Sequence, residues 1–197
     1  MYIYYPSCNF TIMHPQTAKK VKTYFETKMP IAKCCRIDKR ELKKDDVGLY
    51  VCQACRNQIE AQVKTMSIWE YFDQLDDFTF PDYQGQKMYL QDCFRDRNHP
   101  EVHRAVRSLL KKMNIEVIEM ENNKENSIFC GTLHFETKDL DDFHLSHYSK
   151  DVQEKYMKEY VQQFENKKII CVCNRCLKGI LLCNGDGVHL LELLFKF

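Results

Sequence analysis

Strands and helices take turns along most of this chain. The expected fold is α/β: two repeats, each a small, mainly parallel sheet flanked by helices. Three observations carry that expectation. β-type runs alternate with helical periodicities from Tyr2 to the C-terminal segment. A cysteine order occurs twice: Cys8, Cys34-Cys35 and Cys52-x-x-Cys55, then Cys93, Cys130 and Cys173-x-x-Cys176. The surroundings recur with the cysteines. YIYYPSC and KMYLQDC each end a strand-like run on the first thiol, VGLYVC and KKIICVC each run into the Cys-x-x-Cys, and SIWEYF with Glu70 and HLLELLF with Glu192 follow about fifteen residues later. Strand, thiol, helix and spacing repeating together mark an internal duplication.

The first repeat, residues 1–78, opens with a strand over 2–7, where Pro6 suits a strand end. Residues 15–29 carry a helical pattern with Val21, Tyr24, Phe25 and Met29 on one side, Pro15 at its start and Pro30 just past its end. Ile31 to Cys35 reads as a short strand. A polar loop then leads to a strand over 47–52 and to a helix near Cys52-x-x-Cys55 that carries Ile59 and Val63. Ser67 has the pattern of a helix N-cap with Glu70 as its capping-box partner. Residues 79–85, within the aspartate-rich run DDFTFPDYQGQ, form the linker. The second repeat, 86–197, begins with a strand over 87–92 that reaches Cys93. A helix over 100–113 follows, with Val102, Val106, Leu109 and Leu110 inward, then a strand over 115–120. A turn-rich loop precedes Phe129-Cys130-Gly131. A helix over 149–165 has no counterpart in the first half. Strand 168–173 meets the second Cys-x-x-Cys, and a helix around 187–195 closes the chain.

Composition narrows the function. The chain of 197 residues is 44% hydrophobic, enough for a real core. A net charge of +1, from 29 basic and 28 acidic residues, gives no reason to expect nucleic acid or an anionic membrane as partner. No apolar stretch approaches the roughly 20 residues of a membrane span. The opening MYIYYPSCNF lacks the basic and apolar regions of a secretory signal, so the expected compartment is the cytoplasm, where thiols stay reduced. Eleven cysteines there call for an explanation. Burial as a small hydrophobe explains any one of them. It does not explain a repeated order with two Cys-x-x-Cys pairs, and the odd count speaks against a disulfide framework. Thiolates gathered at strand carboxyl ends, where ligands of parallel sheets collect, suit a metal ion or an iron–sulfur cluster. Helices starting beside them favour the thiolate form.

A strand-terminal cysteine, a cysteine pair, and a Cys-x-x-Cys followed by a helix with a central glutamate resemble the tandem cysteine-rich CCG domain family, the type found in heterodisulfide reductase. The resemblance runs from Cys8 to Glu192. It implies two repeats related by pseudo-twofold symmetry, each with a non-cubane [4Fe-4S] cluster on five cysteines, and disulfide cleavage in one-electron steps. On that resemblance Cys8, Cys34, Cys35, Cys52 and Cys55 are the cofactor ligands of the first repeat, with Arg36 where the family has glycine. Cys93, Cys130, Cys173 and Cys176 are the metal ligands of the second. Phe129 stands where the first cysteine of the pair belongs, so this half is expected to hold a four-thiolate [4Fe-4S] cluster or zinc, or to be empty. Cys171 shares a strand face with Cys173 and is either a substitute ligand or, by preference, a core thiol. Cys183 reads as core.

The other candidates are weaker. His99 and His103 lie four apart on one helix and read as surface residues. His134, His144 and His147 lie near Cys130 as candidate proton donors to a thiolate. His189 is expected to pack ahead of the last helix, and Arg95 and Arg97 read as solvated. The leading expectation is a cluster-binding redox protein, for electron transfer or as an oxidoreductase of disulfide-reductase type acting on a small disulfide. The chain carries no ferredoxin-type cysteine run and no dinucleotide loop, so a partner protein would supply its electrons. The alternative is a zinc-binding structural or sensory protein without turnover. A thioredoxin-like use of Cys52 and Cys55 ranks last.

Overall fold

The computed structural model describes residues 1–196 and divides into two compact units, Met1–Thr79 and Phe80–Lys196. Phe197, which the sequence pattern assigns to the end of the second repeat, lies outside the described residues. The architecture is mixed α/β, with two small parallel sheets flanked by helices.

In the first unit the order is β1 (Tyr2–Tyr5), α1 (Cys8–Met13), α2 (Pro15–Glu26), β2 (Val47–Tyr50), α3 (Gln53–Ile59), β3 (Lys64–Ser67) and α4 (Ile68–Asp73). The sheet runs β1-β2-β3, with Tyr2 opposite Val47 and Val47 opposite Lys64. Alternation along β1 divides the core. Ile3 and Tyr5 pack with Tyr50, Cys55, Ile59 and Val63 on one face. Tyr4 meets Phe25 of α2 at 4.5 Å between ring centroids, and Phe25 meets Phe72 of α4. Gly48 lets α3 approach β2, because a Cβ there would lie 2.4 Å from the Ile59 side chain.

Several boundaries differ from the sequence expectation. β1 stops at Tyr5, and Ser7 caps a helix that begins at Cys8 by accepting the Phe10 amide. The strand expected at Ile31 to Cys35 is reduced to one bridge between Ile31 and Tyr4. The segment is tied instead by Asp38, which accepts the Lys33 amide and pairs with the Arg40 guanidinium. β3 is an addition to the expected elements, since its Lys-Thr-Met-Ser run at a sheet edge has no apolar alternation to announce it.

In the second unit the order is β4 (Gln86–Gln91), α5 (Pro100–Lys112), β5 (Ile115–Glu119), α6 (Lys150–Gln162), β6 (Ile169–Cys171), α7 (Asn174–Leu182), β7 (Gly187–His189) and α8 (Leu190–Leu194). The sheet order is β5-β4-β6-β7, all parallel. Met88, Leu90, Ile169 and Ile170 of the sheet are buried, as are Val102, Val106, Leu109 and Leu110 of α5 and Leu177 and Ile180 of α7. Residues 187–195, expected as one helix, are a three-residue edge strand followed by a short helix. Gly187 pairs with Ile169 and His189 with Cys171. The two strand-to-helix junctions share a device. Ser67 and Glu70 exchange capping hydrogen bonds at α4, and His189 and Glu192 do so at α8. The recurring glutamate therefore serves helix initiation in both units.

Candidate metal centre

In the second unit three chain segments converge on one point. β4 leads through Gln91 and Asp92 to Cys93, and β6 leads through Val172 to Cys173, which precedes the first turn of α7 with Cys176 inside it. The third segment is the loop carrying Phe129, Cys130 and Gly131. It is fixed by the Cys130 amide donating to the His134 carbonyl at 2.7 Å and the Phe94 amide donating to the Phe129 carbonyl at 3.0 Å. Gly131 adopts φ +58°, and a Cβ there would lie 2.1 Å from the Arg175 carbonyl oxygen. Only glycine lets this loop dock on the turn between Cys173 and Cys176.

The sulfurs of Cys93, Cys130, Cys173 and Cys176 all lie within 4.8 Å of one another, and those of Cys93 and Cys130 are 3.5 Å apart. All four residues are 5% exposed or less. The Cys173 thiol is held well below its ordinary range by hydrogen bonds from Cys130, then Cys176 and Cys93. Burial pushes Cys93 and Cys176 well up, and the hydrogen bond to Cys173 raises Cys130. Within the group the hydrogen bonds favour the thiolate form at Cys173 over its three neighbours. An all-sulfur donor set fits a thiophilic ion, zinc or iron, and offers no oxygen ligand for a hard cation.

Around the sulfurs lies a polar clamp that no sequence motif announces. The buried Asp92 carboxylate accepts both Arg107 nitrogens, at 2.6 and 3.2 Å, and the Lys124 amide at 2.9 Å. Its carbonyl accepts Ser127 Oγ at 2.9 Å and Gln91 Nε2 at 2.7 Å, and Gln91 Oε1 accepts the Tyr160 hydroxyl at 2.6 Å. Arg107 reaches further to Glu119. The peptide before Cys93 is thereby held on both sides. Phe129 is fully buried and stacks on Tyr160, with centroids 4.2 Å apart and planes 10° from parallel. His134 stacks on Phe94 and bonds Glu136, which also pairs with Arg97.

The remaining candidates distribute as follows. Cys171 is buried at the end of β6, outside the four-sulfur group, and its thiol is raised by burial and then by Cys173. Cys183 is half-buried rather than core, and donates to the Glu154 carbonyl at the end of α7. His103, expected at the surface, is 4% exposed, and burial lowers its pKa. His99 faces Glu101, while His144 and His147 share Asp142. His189 packs as the cap of α8.

In the first unit Cys8 is exposed, Cys34, Cys35 and Cys52 are half-buried, and Cys55 is buried. Their titrations are linked: Cys34 raises Cys8, Cys34 and Cys52 bear on Cys35, and Cys52 and Cys35 raise Cys55. Cys34 is lowered by the Arg36 amide first and then by Cys8, whereas Cys55 is raised by its bond to Cys52 and then by burial. Among the described residues, the close four-sulfur group is the one in the second unit.

Comparison with protein-family models, with curated proteins and with solved structures finds no match to this chain.

Proposed function

We propose that this is a thiolate metal-binding protein, and that Cys93, Cys130, Cys173 and Cys176 hold one tetrahedral ion, zinc being the best fit. The compactness of the sulfur group carries the reading. A zinc–sulfur bond of about 2.3 Å places tetrahedral sulfurs roughly 3.8 Å apart. The four sulfurs here all fall within 4.8 Å, with one contact at 3.5 Å. A four-iron cluster, with irons and sulfides between its thiolates, requires them to spread. Four buried protein ligands leave no position for water or substrate, so the centre is structural. Metal analysis of protein purified anaerobically from iron- and zinc-replete cells tests this. One zinc per chain is expected, lost in Cys130→Ser. Iron with acid-labile sulfide in its place sinks the reading.

A second reading is a cluster-binding redox protein like heterodisulfide reductase, with electrons supplied by a partner protein and a small disulfide as substrate. It draws support from the first unit, where five cysteines with linked titrations include an exposed Cys8. Paramagnetic resonance of the anaerobic protein separates the two. A reducible cluster signal abolished by Cys34→Ser or Cys35→Ser favours this reading. A silent spectrum with zinc present favours the first.

A further inference from the structure

We propose that a groove on the first unit binds the anion of a medium-chain fatty acid. The groove has a volume of about 720 Å³, within the roughly 300–1,000 Å³ of small-ligand pockets. One wall is a face of α2, on which Pro15, Ala18, Lys19, Lys22 and Glu26 recur at helical spacing. The other side of that helix, with Val21 and Phe25, is buried in the core. Residues 30–32 form a second wall. They are held beside β1 by the bridge of Ile31 to Tyr4, by the Tyr4 amide donating to the Pro30 carbonyl at 3.0 Å, and by the Ala32 amide donating to the Tyr4 carbonyl at 2.8 Å.

The walls select hydrocarbon. Pro6, Pro15 and Pro30 all line the groove and offer no N–H. The Pro30 carbonyl is taken by Tyr4, and the Ile31 carbonyl accepts from Arg40 at 3.0 Å. Ala18, Met29 and Ala32 line the groove and are buried, so its floor is apolar. A hydrocarbon tail laid on that floor gains affinity with each methylene it buries.

The rim selects the charge. Lys19, Lys22 and Glu26 are the charged residues of the lining. Lys22 pairs with Glu26 at 3.6 Å, and Lys19 has no ion pair among the described residues. The lining therefore carries one net positive charge, the complement of a monoanion. Lys19 and Lys22, three positions apart, are neighbours on the helix surface and can share one carboxylate. A carboxyl group is fully ionised at neutral pH. A phosphate monoester carries close to two charges there and would be left half-neutralised. The surrounding chain adds to the attraction, since residues 15–44 hold ten basic residues against three acidic ones, while the rest of the chain holds more acidic than basic residues. The site is independent of the second-unit metal centre.

Decanoate serves as the probe. It is titrated below its micellar concentration into the metal-loaded full chain, and binding is read from the methyl resonances of Ala18, Met29, Ile31 and Ala32. Saturable shifts are expected at those methyls. Octanoate should bind more weakly, by up to roughly fourfold per missing methylene, and decanol and decyltrimethylammonium should bind more weakly than decanoate. Lys19→Glu, at an exposed position, should weaken decanoate by about tenfold, and Glu26→Gln, which frees Lys22, should strengthen it by roughly threefold. Thr11→Trp, also exposed, should fill the groove and abolish binding with the metal content unchanged. Equal binding of decanol or of the ammonium overturns the proposal. So do the absence of saturable binding, shifts confined to other methyls such as those of Leu181 and Leu182, or a Lys19→Glu variant that binds as the wild type does.

Discussion

At the residue scale the informative position is Phe129. The family resemblance puts a cysteine there, but the ring is fully buried and stacked on Tyr160, and Gly179 of α7 sits against its tip. Its carbonyl accepts from the Cys176 thiol at 3.6 Å. The side chain holds the Cys130 loop by packing, and the backbone holds a ligand. Phe129→Ala should cost about 3–5 kcal/mol by chemical denaturation. Phe129→Cys should lose comparable packing without changing the metal bound, and a fifth thiolate that converts the centre to an iron cluster would refute this. Asp92 matters for a different reason. It is a 2% exposed carboxylate paired with Arg107 immediately before Cys93. Asp92→Asn leaves the guanidinium short of a partner and should destabilise the unit by about 3 kcal/mol. Metal affinity should drop roughly 10- to 100-fold, as for lost outer-sphere support. Competition against a chromophoric chelator measures it, and unchanged affinity would remove Asp92 from the centre.

At the scale of elements, the long periodic pieces are legible in the sequence. α5 and α6 follow their apolar spacing, and the Ser67 cap with Glu70 occurs as its pattern implies. α1, β3 and β7 are not, because six, four and three residues are too few to display a period. Cys93, Cys130, Cys173 and Cys176, singled out by their order in the chain, come together in the structure. The clamp on Asp92 is hidden, since Arg107 lies fifteen residues away on another element. His103 escapes for the same reason: the helix turns it inward toward Asp92. The loop–helix junction yields its own prediction. Gly131→Ala must separate the Cys130 loop from α7, because the added methyl meets backbone at 2.1 Å and φ is +58°. Metal content should fall well below one equivalent even though every sulfur remains. Full occupancy would show that the loop can dock by another route.

For the whole molecule, the metal-binding reading ties affinity to pH through the thiols. Three of the four second-unit thiols are raised and one, Cys173, is lowered. Binding should therefore release protons, and affinity should rise with pH. Calorimetry in buffers of different ionisation enthalpy reads the number, and release of none would contradict the thiol assignment. The metal-free protein should show the opposite trend. Its raised thiols stay protonated in the fold but ionise when unfolded, so stability present below about pH 8.5 is lost above it. Thermal melts of the stripped protein across that range check the sign.

Parallel pairing carries one more consequence, in time rather than in space. β4 lies between β5 and β6, and β6 arrives about 80 residues after β4 in the chain. Cys93 therefore emerges from the ribosome long before Cys173 and Cys176, by roughly 4–16 s at ordinary synthesis rates. During that interval the nascent chain offers first Cys93 and then Cys130 of the four cysteines, and an unpaired strand edge. Cys173 and Cys176 enter together with β6, so on the metal-binding reading the four-sulfur site would close only as that strand joins the sheet.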